Sequence, residues 1–316
     1  MYFPYFFGRR FEFLSLRDAS SELPLNTTVV PIIEPVKSNP ADLKRCIQAM
    51  GSTGMKAVVI VNPNRGDFRT INPSSLRAAL VEDFHQHPSL LPAFLCSQHT
   101  SIRDISTFLA NYPARDMAMV YWGPNLSDNE LRSVIADRRV LFHINVQDQM
   151  AATQRAMLPR GKAVDIRDRF NTLPRNADYA GSEFFTDSHL TFHTNAAGYG
   201  DFSVIGSTFR EAGGPAHAVA IHTVFKHSRS NQMWVEHFIS DDVDRDVGSV
   251  EGKFHQAAAK LVRAVTRRRA EFGSNGALSA YASDVQANYF PGLGENKRRE
   301  IHHHIALNHK ILRREL

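Results

Sequence analysis

The sequence predicts an α/β fold of the (β/α)8, TIM-barrel-like kind, a single domain with an N-terminal cap and a helical C-terminal extension. Two observations carry the prediction. Short β-branched or aromatic runs alternate with longer stretches whose apolar residues fall three or four apart, the pattern of βα units feeding a parallel sheet. The chain has 316 residues, which suits one α/β barrel of about 250 residues with extensions, and no internal repeat or low-complexity linker divides it. An open doubly wound sheet is the competing arrangement.

The first clear strand runs from Thr28 to Glu34 and is closed by Pro35. The helix after it begins near Pro40, carries Leu43, Ile47 and Met50 at helical spacing, and ends at Gly51 and Gly54. A second strand, Lys56 to Val61, meets the turn Asn62-Pro63-Asn64-Arg65-Gly66, and Pro73-Ser74-Ser75 opens a helix through Leu76, Leu80 and Phe84. Further strands are Leu90 to Leu95, Met117 to Trp122, Val140 to Asn145 and Lys162 to Ile166, separated by helices near residues 101–111, 126–136 and 147–157.

After Arg167 the rhythm changes. The stretch Asn176 to Gly200 is rich in Gly, Asn, Ser and aromatics without a clean period and reads as a long loop. Strand-like segments resume at Phe202 to Ile205 and His217 to Phe225, and Trp234 to Ser240 returns antiparallel through Ser228-Arg229-Ser230-Asn231; two further β segments here bring the barrel to eight. Helices follow over Gly252 to Arg269, Ala277 to Ala287 and Asn296 to Leu316. The expected organisation is a barrel over residues 1–250, including the aromatic N-terminal segment, and a helical extension over 251–316 packed on it.

Composition narrows the function classes. With 43% hydrophobic and 22% charged residues the chain buries a core and is not disordered. Its longest apolar runs are broken by Pro, Lys or Asn well short of the roughly 18 residues that a membrane helix needs, so no membrane partner is expected. The aromatic start, Met1 to Arg10, lacks a basic region ahead of its apolar stretch and a small-residue cleavage site, and is expected to be folded structure of a cytoplasmic protein. Cys46 and Cys96 form no Cys-x-x-Cys, which excludes a disulfide framework and a cysteine zinc site; both are expected to be buried thiols.

Charge is uneven along the chain. The net charge is +5, and Lys297, Arg298, Arg299, Lys310, Arg313 and Arg314 gather at the end against Glu300 and Glu315. This end is a candidate surface for nucleic acid or a protein partner through Arg298, Arg299, Arg313 and Arg314. A recognised nucleic-acid motif is lacking, and a solvated or partner-docking helix with Ile301, Ile305, Leu312 and Leu316 on its buried side is the simpler reading.

In a barrel, ligands meet the C-terminal ends of the strands. The polar residues expected there are Glu34 and Lys37, then Asn62, Asn64 and Arg65, then Tyr121, His143, Asn145, Asp165 and Arg167, with His222 and His237 in the late strands and Asp201 at a rim. Carboxylates mixed with Lys, Arg and His are the composition of a site for an anionic ligand with acid/base groups. Glu34, Asp165 and His222 are the candidate catalytic groups. Lys37, Asn62, Arg65, His143, Arg167, Asp201 and His237 are the candidate ligand contacts. The plain alternative is ion pairing, of Glu34 with Lys37 or Arg65 and of Asp165 with Arg167.

Other motifs argue mostly by absence. His189 and His193 lie in a segment that reads as extended, where they would stand about 13 Å apart, too far for one metal ion. His302-His303-His304 reads as a solvated helix face. No metal site and no cofactor motif is identified. Gly198-Tyr199-Gly200-Asp201-Phe202, Gly206 and Gly213-Gly214-Pro215 match neither a P-loop nor a dinucleotide fingerprint, and no Gly-x-Ser-x-Gly occurs.

Tyr2-Phe3-Pro4-Tyr5 with Gly8-Arg9 and Phe11-Glu12, Pro31-Ile32-Ile33-Glu34-Pro35-Val36-Lys37, Gly200-Asp201-Phe202 with Ile205-Gly206, the run Gly213 to His222, and Glu236-His237-Phe238-Ile239-Ser240 together resemble the beta protein family of bacteria and phages. The resemblance covers nearly the whole chain, and its motifs are specific in combination only. It implies a barrel-like cytosolic protein encoded near mobile elements or defence genes, with recurrent polar positions at Glu34, Lys37, Asp201, His222 and His237; it implies no settled activity. Three functions follow as expectations: a barrel binding a small phosphorylated or carboxylated molecule, with hydrolase-like acid/base chemistry; a noncatalytic interaction subunit of a defence assembly, docking a protein encoded nearby through the aromatic N-terminus and basic C-terminal helices; and a nucleic-acid binder.

Overall fold

The computed structural model describes residues 1–25, 27–194, 196–209 and 217–316. The chain folds into two compact units, Met1–Asp168 with Thr191–Phe202, and Arg169–Leu190 with Ser203–Leu316.

The first unit is the barrel. In chain order it contains β1 (Tyr5–Phe6), α1 (Arg10–Glu22), β2 (Ile32–Ile33), α2 (Ala41–Ser52), β3 (Ala57–Ile60), α3 (Ser74–Gln86), β4 (Leu90–Cys96), α4 (Ile102–Asn111), β5 (Met117–Tyr121), α5 (Asp128–Ile135), β6 (Val140–Val146), α6 (Ala152–Met157) and β7 (Ala163–Ile166). The sequence dictates these elements through its apolar stripes and caps: α2 buries Leu43, Cys46, Ile47 and Met50, while Ser101 with Asp104 and Ser127 with Glu130 form capping boxes that start α4 and α5. Both cysteines are buried.

The eighth barrel strand is β9 (Gly198–Gly200), which lies in the stretch read as a loop. Every pairing in the sheet β1-β2-β3-β4-β5-β6-β7-β9 is parallel. Closure comes from the aromatic N-terminus, which is the first strand and not a cap. Phe3 N–H donates to the Tyr199 carbonyl (2.8 Å), Tyr5 N–H to Asp201 (2.9 Å) and Tyr199 N–H to Met1 (3.1 Å). On its other edge, Val30, Ile32 and Glu34 donate to the carbonyls of Tyr2, Pro4 and Phe6. Pro4 has no N–H to give, so its ladder contribution is the carbonyl alone.

The second unit contains β8 (Ser182–Thr186), α7 (Ser188–Thr191, at the junction of the units), β10 (Ala220–Lys226), β11 (Met233–Ile239), α8 (Val250–Arg267), α9 (Arg269–Phe272), α10 (Gly276–Ala287) and α11 (Leu293–Arg313). The late strands are therefore not barrel strands. They form a three-stranded antiparallel sheet in the order β10-β11-β8. One face packs Ile221, Phe225 and Phe238 on Phe254 and Leu261 of α8 and Leu278 and Tyr281 of α10; the other packs Val224, Met233 and Val235 with Phe170, Tyr179, Phe185 and Leu307 of α11. The helices after residue 250 thus belong with this sheet in one unit.

Three local readings change. Phe202 to Ile205 is not a strand, since Ser203–Ile205 forms a 3-10 turn. His189 to His193 is helical and not extended, divided between α7 and a 3-10 turn. His302, His303 and His304 are buried and not a solvated face, at 6%, 1% and 0% exposure. Inside, both ring nitrogens of His303 find partners, Asn275 Nδ2 (2.9 Å) and the Val224 carbonyl (2.8 Å), and the His304 ring packs edge-on against Phe185. The Gly213-Gly214-Pro215 run lies outside the described residues.

The seam is sterically tight. A Cβ on Gly200 would run into the carbonyl of Phe3, and one on Gly198 into the Phe3 ring and the Met1 carbonyl. Gly200→Ala is expected to destabilise the protein by about 3 kcal/mol or more, because the obstacle is backbone. Denaturant unfolding checks this, and an unchanged midpoint would refute a closed seam.

Candidate functional site at the barrel mouth

Period two along each strand sorts the polar residues. The cross-strand register places Tyr5, Ile32, Val58, Leu91, Ala93, Ala118, Phe142, Val164 and Gly198 in one alternation, and Cys96, Tyr121, Asn145, Asp165 and Tyr199 in the other. The first alternation faces the lumen, since Phe3 meets Phe142 (5.0 Å between ring centroids) and Tyr5 meets Trp122 (5.6 Å) from non-neighbouring strands. The second faces the helices: Phe94 packs on Phe108 of α4, and Asp165 takes Arg155 of α6.

Glu34 extends the lumen row from β2 and is fully buried. Its carboxylate accepts from Tyr5 Oη (2.6 Å) and from Arg65 Nη1, which lies 2.8 Å from Oε1 and 2.6 Å from Oε2. Burial and the neighbouring carboxylate push the Tyr5 hydroxyl well above its usual range, so it stays a donor. Arg65 enters from the turn after β3 and stacks on Trp122, with its guanidinium carbon 3.9 Å from the ring centroid; Phe7 stands at 5.7 Å. Phe202 closes the aromatic collar, 5.0 Å from Tyr5 and 5.8 Å from Trp122. Gly66 (φ 58°) fixes the turn behind Arg65, where any Cβ would strike the Val36 carbonyl.

The Arg65 side chain keeps 25% exposure. Its Nε and Nη2 make no hydrogen bond with a described residue, while Nη1 also touches Asn64 Oδ1 at 3.5 Å. Asn64 lines a cavity of about 370 Å³ at the ends of β3 and β4, together with Asn62, Arg77 and His99. Asn62 is spent on the backbone, exchanging two hydrogen bonds with Leu95. Lys37 is exposed and pairs with Asp67 (3.3 Å), whose carboxyl is held low first by the Ser38 N–H.

The remaining candidates do not join this cluster. Asp165, on the helix-facing row, is held by Asn145 Nδ2 (3.1 Å) and Arg155 Nη2 (2.6 Å), not by Arg167. Arg167 pairs with Asp148 (2.7 Å). His143 stacks on Tyr121, with Nδ1 2.9 Å from its hydroxyl, and its Nε2 has no partner among the described residues. Asp201 accepts from Tyr2 Oη (2.7 Å) beneath Tyr199. His222 and His237 lie in the second unit, with their Nδ1 atoms 2.8 Å apart and flanked by Tyr179. Burial depresses both imidazoles, and His237 Nε2 reaches Glu183 (3.3 Å). Glu34 and Asp165 therefore stand on opposite faces of the barrel sheet, and His222 belongs to the second unit. Among the described residues no group of three His, Cys, Asp or Glu is placed to hold a metal ion.

The expected docking surfaces also change. Tyr2, Phe3, Tyr5, Phe6 and Phe7 are wholly buried. In α11, Arg299 is committed to Asp284 and Arg298 pairs with Glu295 (3.0 Å); Arg313 lies 3.5 Å from Glu315, and Arg314 is exposed at the helix end. Sequence reasoning missed Tyr5 and Trp122 as parts of the Glu34 cluster. Their signal is the strand-end position of Trp122 and the alternation Phe3, Tyr5, Phe7.

No family model, curated protein or solved structure matches the chain.

Removing Arg65 leaves Glu34 in the collar with Tyr5 alone. Arg65→Ala is expected to cost about 3 kcal/mol, and the double variant Arg65→Ala/Glu34→Gln to recover much of it; a strictly additive pair in denaturant unfolding would contradict the coupling. His143 supplies a pH signature. Burial, reinforced by Lys162, lowers its pKa from 6.5 to about 4. The unfolded chain therefore binds a proton that the native chain refuses as pH falls from 6.5 to 4. Stability present above pH 6.5 is lost through that window, by about 3 kcal/mol from this group. His143→Gln should flatten the pH slope there, and equal slopes would remove the assignment.

Proposed function

We propose that the barrel mouth binds a small carboxylated or phosphorylated molecule through the Arg65 guanidinium. One observation carries the reading: Arg65 is immobilised between a buried carboxylate and the face of Trp122, with Nε and Nη2 uncommitted among the described residues. A planar fork held in place loses little entropy on meeting an anion and offers two charge-assisted hydrogen bonds. Asn64, which touches Arg65, also lines a cavity of about 370 Å³ that extends toward α4, where Arg77 is a second cation.

In this reading Glu34 orients Arg65 and does not exchange protons with the ligand, because its oxygens are already taken by Arg65 and Tyr5. Lys37 draws anions toward the mouth. The family resemblance supports a bacterial or phage setting linked to defence, and the Glu34 and Lys37 positions are common to both lines of argument.

Trp122 and Trp234 are the two tryptophans. In a Trp234→Phe background, an anion arriving on Arg65 should shift Trp122 emission. Inorganic phosphate and succinate are the probes, with chloride at matched ionic strength as the control. Arg65→Lys keeps one charge for Glu34 but loses the fork, and should weaken binding about tenfold with folding intact. An emission response that chloride reproduces, or that Arg65→Lys leaves unaltered, would refute the proposal.

A further inference from the structure

The second unit holds a cavity of about 530 Å³ whose lining has an unbalanced charge. Lys260, Arg263 and Arg267 reach it from successive turns of α8, and His237 of β11 and the Tyr179–Gly181 turn form other parts of its wall. Glu236 is the one carboxylate in the lining, and it is engaged by Arg268. Lys260 pairs with Asp241 (2.7 Å) and donates to the Ile239 carbonyl (2.6 Å). Arg263 and Arg267 form no ion pair or hydrogen bond with any described residue. Two uncompensated guanidinium groups therefore share a concavity of small-molecule size.

We propose that this cavity is an anion site that takes the phosphate group of a small phosphorylated molecule between Arg263 and Arg267. The two residues are four apart on a helix, so their Cβ atoms lie about 5–6 Å from each other, and two planar forks can close on one phosphate from the same side. A phosphomonoester dianion matches the two unpaired charges. Tyr179 is part of the wall, and Gly181 (φ 61°) leaves open space where a side chain would otherwise stand. His237 adds a polar floor whose Nδ1 is backed by His222 and Nε2 by Glu183. The site uses residues of the second unit alone and is independent of the barrel proposal.

The test is calorimetric titration of the full chain carrying Arg65→Lys, which removes the barrel fork, with inorganic phosphate and with a nucleoside monophosphate. Saturable binding of one anion per chain is expected, weakened about tenfold or more by Arg263→Ala/Arg267→Ala and changed less than about twofold by Arg229→Ala/Arg245→Ala, which removes the same charge elsewhere. Near-native circular dichroism of the Arg263→Ala/Arg267→Ala protein excludes misfolding, since both side chains are exposed. Equal loss in the two double variants, or no saturation with either probe, would overturn the site. So would binding of single-stranded oligonucleotides that tightens with their length, because it would mark an open nucleic-acid surface.

Discussion

Everything in the first unit depends on the seam where the first strand meets the last. Eight parallel strands leave two bare edges until residues near Tyr2 and Tyr199 exchange backbone hydrogen bonds. The lumen must also be filled, and at the seam the fill is Phe3. Gly198 and Gly200 carry no side chain on the inward alternation, so the Phe3 ring and backbone occupy that space. Closure and packing are thus one constraint.

The same constraint sets the chemistry of the mouth. Because Tyr5 follows Phe3 by two residues, it also points inward, and its hydroxyl arrives at Glu34 from the neighbouring strand. A carboxylate at the rim of an apolar lumen needs a cation, and Arg65 supplies it from the next turn along. Trp122 and Phe7 then flank the guanidinium, and Phe202 packs behind them. The site is the polar termination of the lumen packing, reached by counting two residues at a time.

Much of this was legible in the sequence, for identifiable reasons. Strands β3 to β7 are short apolar runs between helices, and the alternation of the two finds them. Glu34 and Arg65 end strands or begin turns, which places them at the mouth. β1 and β9 escaped because Tyr2-Phe3-Pro4-Tyr5 and Gly198-Tyr199-Gly200 lack β-branched residues and owe their strand form to each other across some two hundred residues. The late strands are legible as strands but their sheet is not, since propensity carries no information on partners. His143 and Asp165 differ from lumen positions by one residue of parity, which the sequence does not reveal: Phe142 and Ile166 look inward, so their neighbours face the helices. The polarity of the α11 histidines suggests a surface, whereas burial of Ile301 and Ile305 draws them into the core, where His303 meets Asn275 and Val224.

A seam between residues 1–5 and 197–201 has a consequence for how the chain is made. At a synthesis rate of about 5–20 residues per second, some 10–40 s separate the first strand's emergence from that of its last partner. During that interval Tyr2, Phe3, Tyr5, Phe6 and Phe7, none of which shows any surface in the finished protein, have one covered edge and one open edge. The nascent barrel is an incomplete sheet with an aromatic margin, a form that invites chaperone contact or mispairing with another nascent chain. Timing on the ribosome, more than the stability of the finished barrel, is where this architecture is most exposed to error.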